Sequence, residues 1–254
     1  MAEEGIQSVV RTFQILEELA ARQDMGVREL HSVTGLSVAT VHRILTTLVS
    51  LGYVRQSKET GRYEMTYKMS VLGYSVTRHN EVVQLVHPLL KKLSDEVGET
   101  IHFAERAGAN IRYIDKVMPT SGVVVMTSYV GMELPMYSTA VGKAMMAEMS
   151  QGEVERIWAQ SEIVAYTKRT IHTLEELQRQ LVETKKVGLA YDWEEREYGI
   201  SCVAAGILDV TGEPAYAISI SGPHARMEEN QERYARLLEQ TRKEISNLIG
   251  YPVR

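Results

Sequence analysis

The hydrophobic period of this chain changes near residue 98, and that change decides what the chain can build. Up to Val97, apart from one short hairpin, apolar residues recur every three or four positions, as on one face of a packed helix. From Thr100 onward, short runs alternate apolar and polar residues, as half-buried strands do, with helical stretches between them. Two modules are therefore expected, and 254 residues leave room for them at roughly 150 residues per domain. The expected boundaries are a first domain over 1–75, a linker helix over 76–88 and a second domain over 89–254.

In the first block, residues 8–21 read as an amphipathic helix, with Val9, Phe13, Leu16 and Ala20 at helical spacing. A short helix over 27–33 follows, with Leu30 and Val33 facing inward. Gly35 ends it, because glycine accepts the left-handed conformation of a helix stop. Ser37 then caps a third helix, from Val38 to about Leu51, whose inner residues are Val41, Ile44, Leu45 and Leu48. Two short helices joined by a glycine turn, the second outwardly polar, form the helix-turn-helix pattern. Residues 53–56 and 62–65 flank a polar turn ending in Gly61, a hairpin wing able to lie along a phosphate backbone. A three-helix cap whose polar face meets only water would share much of this pattern.

Charge distribution favours the nucleic-acid reading. The chain has a formal net charge of −5, yet residues 1–80 hold nine Lys/Arg against eight Asp/Glu. No acid occurs over 30–58, where the average content would place about four. On this reading helix 38–51 enters the major groove. Ser37, Ala39, Thr40, His42 and Arg43 approach bases or nearby phosphates, while Arg11, Arg55, Lys58 and Arg62 contact the backbone. Two protomers would read a pseudopalindrome with half-sites about one helical turn apart.

The connector reads as a helix over 70–87, with Pro88 opening a fresh helix over 88–97. Beyond it, strands are expected over 100–107, 111–117, 123–128, 200–209 and 214–221. Helices are expected over 139–149, 153–160, 174–187 and 228–249. The class is α+β: an antiparallel sheet flanked by helices and able to hold a small ligand.

Composition excludes several alternatives. With 44% hydrophobic and 24% charged residues the chain is not mostly disordered. Its longest apolar runs, such as 123–126, fall far short of the ~20 residues that cross a bilayer. The acidic opening Met-Ala-Glu-Glu-Gly shows no secretory signal, and one cysteine excludes an internal disulfide or a multi-cysteine metal cluster. A reducing cytoplasm is the simplest location.

Three segments carry candidate chemistry. Residues 137–143 lead into a helix whose free amides attract an anion, although a packing glycine explains the same pattern. The acidic run 191–202 reads either as a solvated connector or as a loop that sets Asp192 and Cys202 on a cavity at the sheet's mouth; a lone strand cysteine is more often packing than nucleophile. On 217–223, alternation sets Ser219 and Ser221 on one face and Ile218 and Ile220 on the other, so the two hydroxyls suit a carboxylate or equally a solvent-facing surface. The seven histidines show no metal-ligand spacing, so no metal and no cofactor are expected.

With these residues in view, the chain resembles the IclR-type bacterial transcriptional regulators. The resemblance rests on residues 8–11, Gly35-Leu36-Ser37-Val38-Ala39-Thr40-Val41-His42-Arg43, residues 51–54, Tyr137-Ser138-Thr139-Ala140-Val141-Gly142-Lys143-Ala144, residues 199–204 and Ser219-Ile220-Ser221-Gly222-Pro223. It implies a winged helix-turn-helix, a linker helix and an effector domain related to GAF and profilin-like sheets. It also implies effector-pocket sites at Val123, Met126, Leu134, Ala140, Val141, Asp192, Cys202, Ser219 and Ser221. Residues 99–102 and 134–144, with Gly250-Tyr251, look most like the KdgR-like branch, which answers to 2-keto-3-deoxygluconate. The expectation is a ligand-responsive repressor of a sugar-acid catabolic operon, a homodimer or tetramer on double-stranded DNA and not an enzyme. Its effector would be a small 2-oxo or sugar acid, the carboxylate held at the start of helix 139–149 and by Ser219 and Ser221, with Asp192 taking a hydroxyl. An activator of the same architecture and a Cys202-dependent enzyme on small acids are the alternatives.

Overall fold

The computed structural model describes residues 6–77, 80–120 and 127–249, which divide into two compact units between His79 and Asn80. In the first unit, helices α1 (Gln7–Arg22), α2 (Val27–Thr34) and α3 (Val38–Ser50) pack around Leu16, Leu19, Leu30, Val41, Leu45 and Leu48. Strands β1 (Asp24–Met25), β2 (Val54–Gln56) and β3 (Tyr63–Met65) form an antiparallel sheet in the order β1-β3-β2, and α4 (Lys68–Thr77) follows. The chain bends by 117° between α2 and α3. Gly35, at φ 69°, makes that bend, and its amide donates to the His31 carbonyl. The His31 ring locks the turn: Nδ1 lies 2.6 Å from the Leu36 carbonyl, which can only accept, so Nδ1 carries the proton. Val9 and Phe13, expected in the stripe of α1, are exposed, because the unit's core reaches α1 only from Ile15 onward. Val33 is exposed as well.

In the second unit, α5 (Glu81–Val97) precedes a six-stranded antiparallel sheet. Its strands are β4 (Thr100–Ala107), β5 (Asn110–Val117), β6 (Glu133–Pro135), β7 (Ala190–Trp193), β8 (Ile200–Leu208) and β9 (Pro214–Pro223), in the order β6-β5-β4-β9-β8-β7. Helices α6 (Ala140–Met146), α7 (Gln151–Gln160) and α8 (Leu174–Val187) lie between β6 and β7, and α9 (His224–Glu229) and α10 (Gln231–Leu248) close the unit. One face of the sheet, with Phe103, Val203, Ile218 and Ile220, packs on Leu90, Leu93, Leu238 and Ile245 of α5 and α10. The other face, with Ala104, Ala204 and Ala217, packs on Met145 of α6 and Leu177 of α8. Small residues on that second face leave room for a helix to approach closely and for a cavity beside it.

The connector departs from expectation. No helix begins at Pro88; α4 ends at Thr77, and α5 runs through Pro88 from a cap at Asn80, whose side chain accepts from the Val83 amide at 3.1 Å. Pro88 removes one backbone donor, but Val86, Leu90, Leu93 and Val97 keep one continuous buried stripe on the sheet. Strands β6 and β7 were not expected, and the helix expected over 228–249 is broken at Asn230. The strand expected over 123–128 lies mostly outside the described residues, and Thr127 and Ser128 are not strand.

Two glycines set the approach of α6 to its surroundings. A Cβ on Gly142 would fall inside the contact distance of the Met136 carbonyl, and one on Gly206 would lie 2.8 Å from the Ala144 carbonyl. Gly142→Ala is therefore expected to destabilise the second unit by about 1–3 kcal/mol in urea unfolding. Gly152→Ala, where a Cβ meets open space, should change it by less than about 1 kcal/mol in either direction. Equal behaviour of the two variants would contradict this account of the packing.

Candidate functional site

The first unit presents the head of α3 to solvent. The Ser37 hydroxyl accepts from the Thr40 amide at 3.2 Å and lies 2.9 Å from the Thr40 hydroxyl, so both side chains are engaged in the cap. Ala39, His42 and Arg43 are exposed beside them. Arg43, Lys58 on the wing and Arg11 on α1 have no ion-pair partner among the described residues. Two other expected contacts are held internally. Arg55 pairs with Glu64 across β2 and β3 at 2.8 Å, and Arg62 bridges Asp24 at 3.2 Å and Glu29 at 2.9 Å. Arg62 ties the wing to the start of α2, and its carboxylate partners offset its charge. Arg28 on the first turn of α2 is an exposed cation without an ion-pair partner among the described residues, and the acid-free window does not include it.

The second unit holds a half-open cavity of about 330 Å³ on the α6 side of the sheet. Strand register assembles its floor. Asp192 on β7, Cys202 on β8 and Ser221 on β9 are direct cross-strand neighbours. One row away, Ser219 stands opposite His102 on β4. A β-bulge at Ile114 turns Tyr113 into the cavity and Asp115 to the opposite face, where it meets His87 of α5 at 2.7 Å. Leu134, Ala140 and Val141 complete this part of the wall. The cavity thus gathers seven of the nine expected pocket residues; Val123 and Met126 lie outside the described residues.

Sequence reasoning missed the charged and aromatic lining. His102, Tyr113, Tyr166 and Arg196 all face the cavity. The His102 ring stacks on Tyr113 at 4.5 Å and bridges the Ser221 hydroxyl at 3.2 Å and the Ser128 hydroxyl at 2.8 Å. Burial and the Lys116 ammonium push its pKa down to about 3, so it is a neutral hydrogen-bonding group at pH 7 and a poor base. Burial and nearby Asp192 push the Cys202 thiol up, out of the range where a thiolate forms. Asp192 is itself raised to about 6, mainly by burial; the Lys143 ammonium opposes the shift and Glu195 adds to it.

The loop after β7 is held by a buried ion pair. Lys143 Nζ, 1% exposed, lies 2.6 and 2.7 Å from the two Glu195 oxygens and 2.9 Å from Gln180 Oε1. Asp192 Oδ1 accepts from the Glu195 amide at 2.7 Å, and the Thr170 hydroxyl donates to the Glu195 carbonyl at 2.6 Å. Arg196, next in the chain, carries its guanidinium 4.2 Å from the centre of the Tyr166 ring. The expected anion site at the helix start is smaller than anticipated, since α6 spans only seven residues and the Thr139 hydroxyl already accepts from the Gly142 amide.

Known proteins match both units. Residues 8–58 fit the family model described as the IclR helix-turn-helix domain, and residues 74–247 fit the bacterial transcriptional regulator IclR C-terminal model. The Escherichia coli DNA-binding transcriptional repressor YiaJ is 33% identical, over 98% of this chain and 90% of its own. The Dickeya chrysanthemi regulator KdgR is also 33% identical, over 98% of this chain and 81% of its own. The crystal structure of Thermotoga maritima IclR aligns with a TM-score of 0.83 at 32% identity, covering 97% of this chain and 100% of that one.

The raised carboxyl of Asp192 makes stability pH-dependent. Its folded pKa of about 6 exceeds the ordinary 3.8, so the folded state binds the extra proton between those values. Stability must then fall as pH rises through that window, by up to about 3 kcal/mol, and stay low above it. Asp192→Asn should therefore stabilise the protein relative to wild type more at pH 7.5 than at pH 4.5 in urea titrations. The same difference at both pH values would contradict the assignment.

Proposed function

The chain belongs to the IclR family of bacterial transcriptional regulators, and on that premise we propose that it is a repressor whose grip on a pseudopalindromic operator is set by a small carboxylate effector. The family's members are regulators rather than enzymes. The observation that carries the reading is a division of labour: Arg43, exposed and without an ion-pair partner among the described residues, on an acid-free helix in one unit, and a small, half-open, mainly apolar cavity carrying a few polar groups in the other. A helix-turn-helix uses such a face to read the major groove, and family effector domains take small molecules. Arg43, with Ala39 and His42, reads bases; Arg11, Arg28 and Lys58 grip phosphates. Ser37 and Thr40 hold the helix start in position, and Arg62 braces the wing.

The effector is a small 2-oxo or sugar acid, and the regulated genes serve its breakdown. A cavity of about 330 Å³ sits at the small end of ligand sites, which suits a metabolite of this size. 2-Keto-3-deoxygluconate is the first compound to test, on the resemblance to the KdgR-like branch; YiaJ and KdgR are equally similar overall. The protein works as a homodimer or a pair of dimers. Catalysis by Cys202 has little chemical support, because its thiol is held protonated and the neighbouring His102 is a poor base.

Fluorescence anisotropy with promoter fragments across a salt series tests the head. Lys58→Ala should weaken binding to all sequences and reduce the salt slope by about one. Arg43→Ala should lose discrimination between operator and random duplex, while Arg62→Ala should leave the slope unchanged. Salt-independent binding, or no binding to any fragment near the protein's own locus, would overturn the proposal. Transcription from the same promoter in cells decides between repressor and activator.

A further inference from the structure

Two cations beside the cavity are neutralised by carboxylates, and the one that lines it is not. Lys143 is matched by Glu195, and Arg169 lies 2.9 Å from Glu194. Arg196 is the one Lys or Arg among the described residues lining the cavity, and it has no ion-pair partner among the described residues. Among the described residues its guanidinium meets the Ser138 hydroxyl, at 3.3 Å, and the face of Tyr166. A guanidinium has five N–H donors in a planar fork, and four of these have no acceptor among the described residues.

The remaining wall suits the neutral part of a ligand. Ser219, Ser221 and neutral His102 offer hydroxyl and imidazole groups already linked to one another. Such groups exchange readily with a ligand's hydroxyl or keto oxygen but carry no charge to hold an anion. Asp192 and Glu197 also line the cavity and oppose a second negative group. The loop that bears Arg196 is fixed from below by the Lys143–Glu195 pair and by the Asp192 carboxyl, so the backbone that carries the fork is held before a ligand arrives.

We propose that Arg196 is the anion receptor of the cavity, gripping the carboxylate of a monoanionic ligand above the Tyr166 ring while the ligand's oxygenated end reaches Ser219 and Ser221. This deepens the effector reading given above, on which it rests, and moves the carboxylate from the start of α6 and the serines to Arg196. A stacked guanidinium is the side chain best matched to a planar carboxylate. Selection follows from the charge pattern: one carboxylate is accepted, a neutral analogue lacks the anchor, and a dicarboxylate meets Asp192 and Glu197.

The test is calorimetry on the full-length protein with gluconate and gluconamide, and with pyruvate and pyruvamide, each pair differing in the charged group alone. Wild type should bind at least one acid more than tenfold tighter than its amide. Arg196→Gln should lose that preference by weakening the acid alone, and Arg196→Lys should restore part of it; unchanged thermal midpoints show that the fold is intact. If an acid binds and Arg196→Gln leaves the acid-to-amide ratio as in wild type, the Arg196 assignment falls while the effector reading stands. If neither acid binds wild type, the effector reading itself fails and the assignment falls with it.

Discussion

The ion pair between Lys143 and Glu195 is the contact on which the site depends. It joins α6 to the loop after β7 in a place where both charges are almost wholly out of water. Such a pair does little for net stability, since desolvation offsets most of the attraction; removing one partner, by contrast, costs about 3–5 kcal/mol. Its effect is positional. Glu195 is fixed through both carboxylate oxygens, through its amide to Asp192 and through its carbonyl to Thr167 and Thr170. With that residue immobile, Asp192 on one side and Arg196 on the other have little freedom, and the cavity has a defined shape.

A different economy of charge governs the first unit. Its carboxylates are used to restrain cations that would otherwise compete for a polyanion: Asp24 and Glu29 hold Arg62, and Glu64 holds Arg55. The cations left over, Arg43 and Lys58 among them, are those that a rigid helix or hairpin presents to solvent. The net charge of −5 therefore describes the whole chain poorly. What matters for association with DNA is the local field of a surface cleared of acids.

Periodicity made the main architecture legible. The inner face of α3, its cap at Ser37 and the glycine turn before it could be read because each depends on residues within one or two helical turns. The opposition of Ser219 and Ser221 to Ile218 and Ile220 followed from strand alternation, and Ile218 and Ile220 do pack against the α5 and α10 layer. Strands β6 and β7 escaped because three or four residues are too few to show a period, and their pairing depends on distant partners. Pro88 misled because a local rule was overridden by a buried stripe that continues on both sides of it. Arg196 was hidden in an acidic run; only tertiary pairing of Glu194 with Arg169 and Glu195 with Lys143 leaves it without an ion-pair partner among the described residues.

Coupling between the two units is most directly tested through the reciprocity of linked equilibria. The affinity of the proposed effector acid should be measured by calorimetry on the free protein and on the protein saturated with its operator fragment. If the acid releases the protein from DNA, operator must weaken acid binding by the same factor by which acid weakens operator binding, on the order of 5–150-fold. Equal acid affinities in the two states would mean that the cavity and the reading head act independently, and the account would be wrong at its centre.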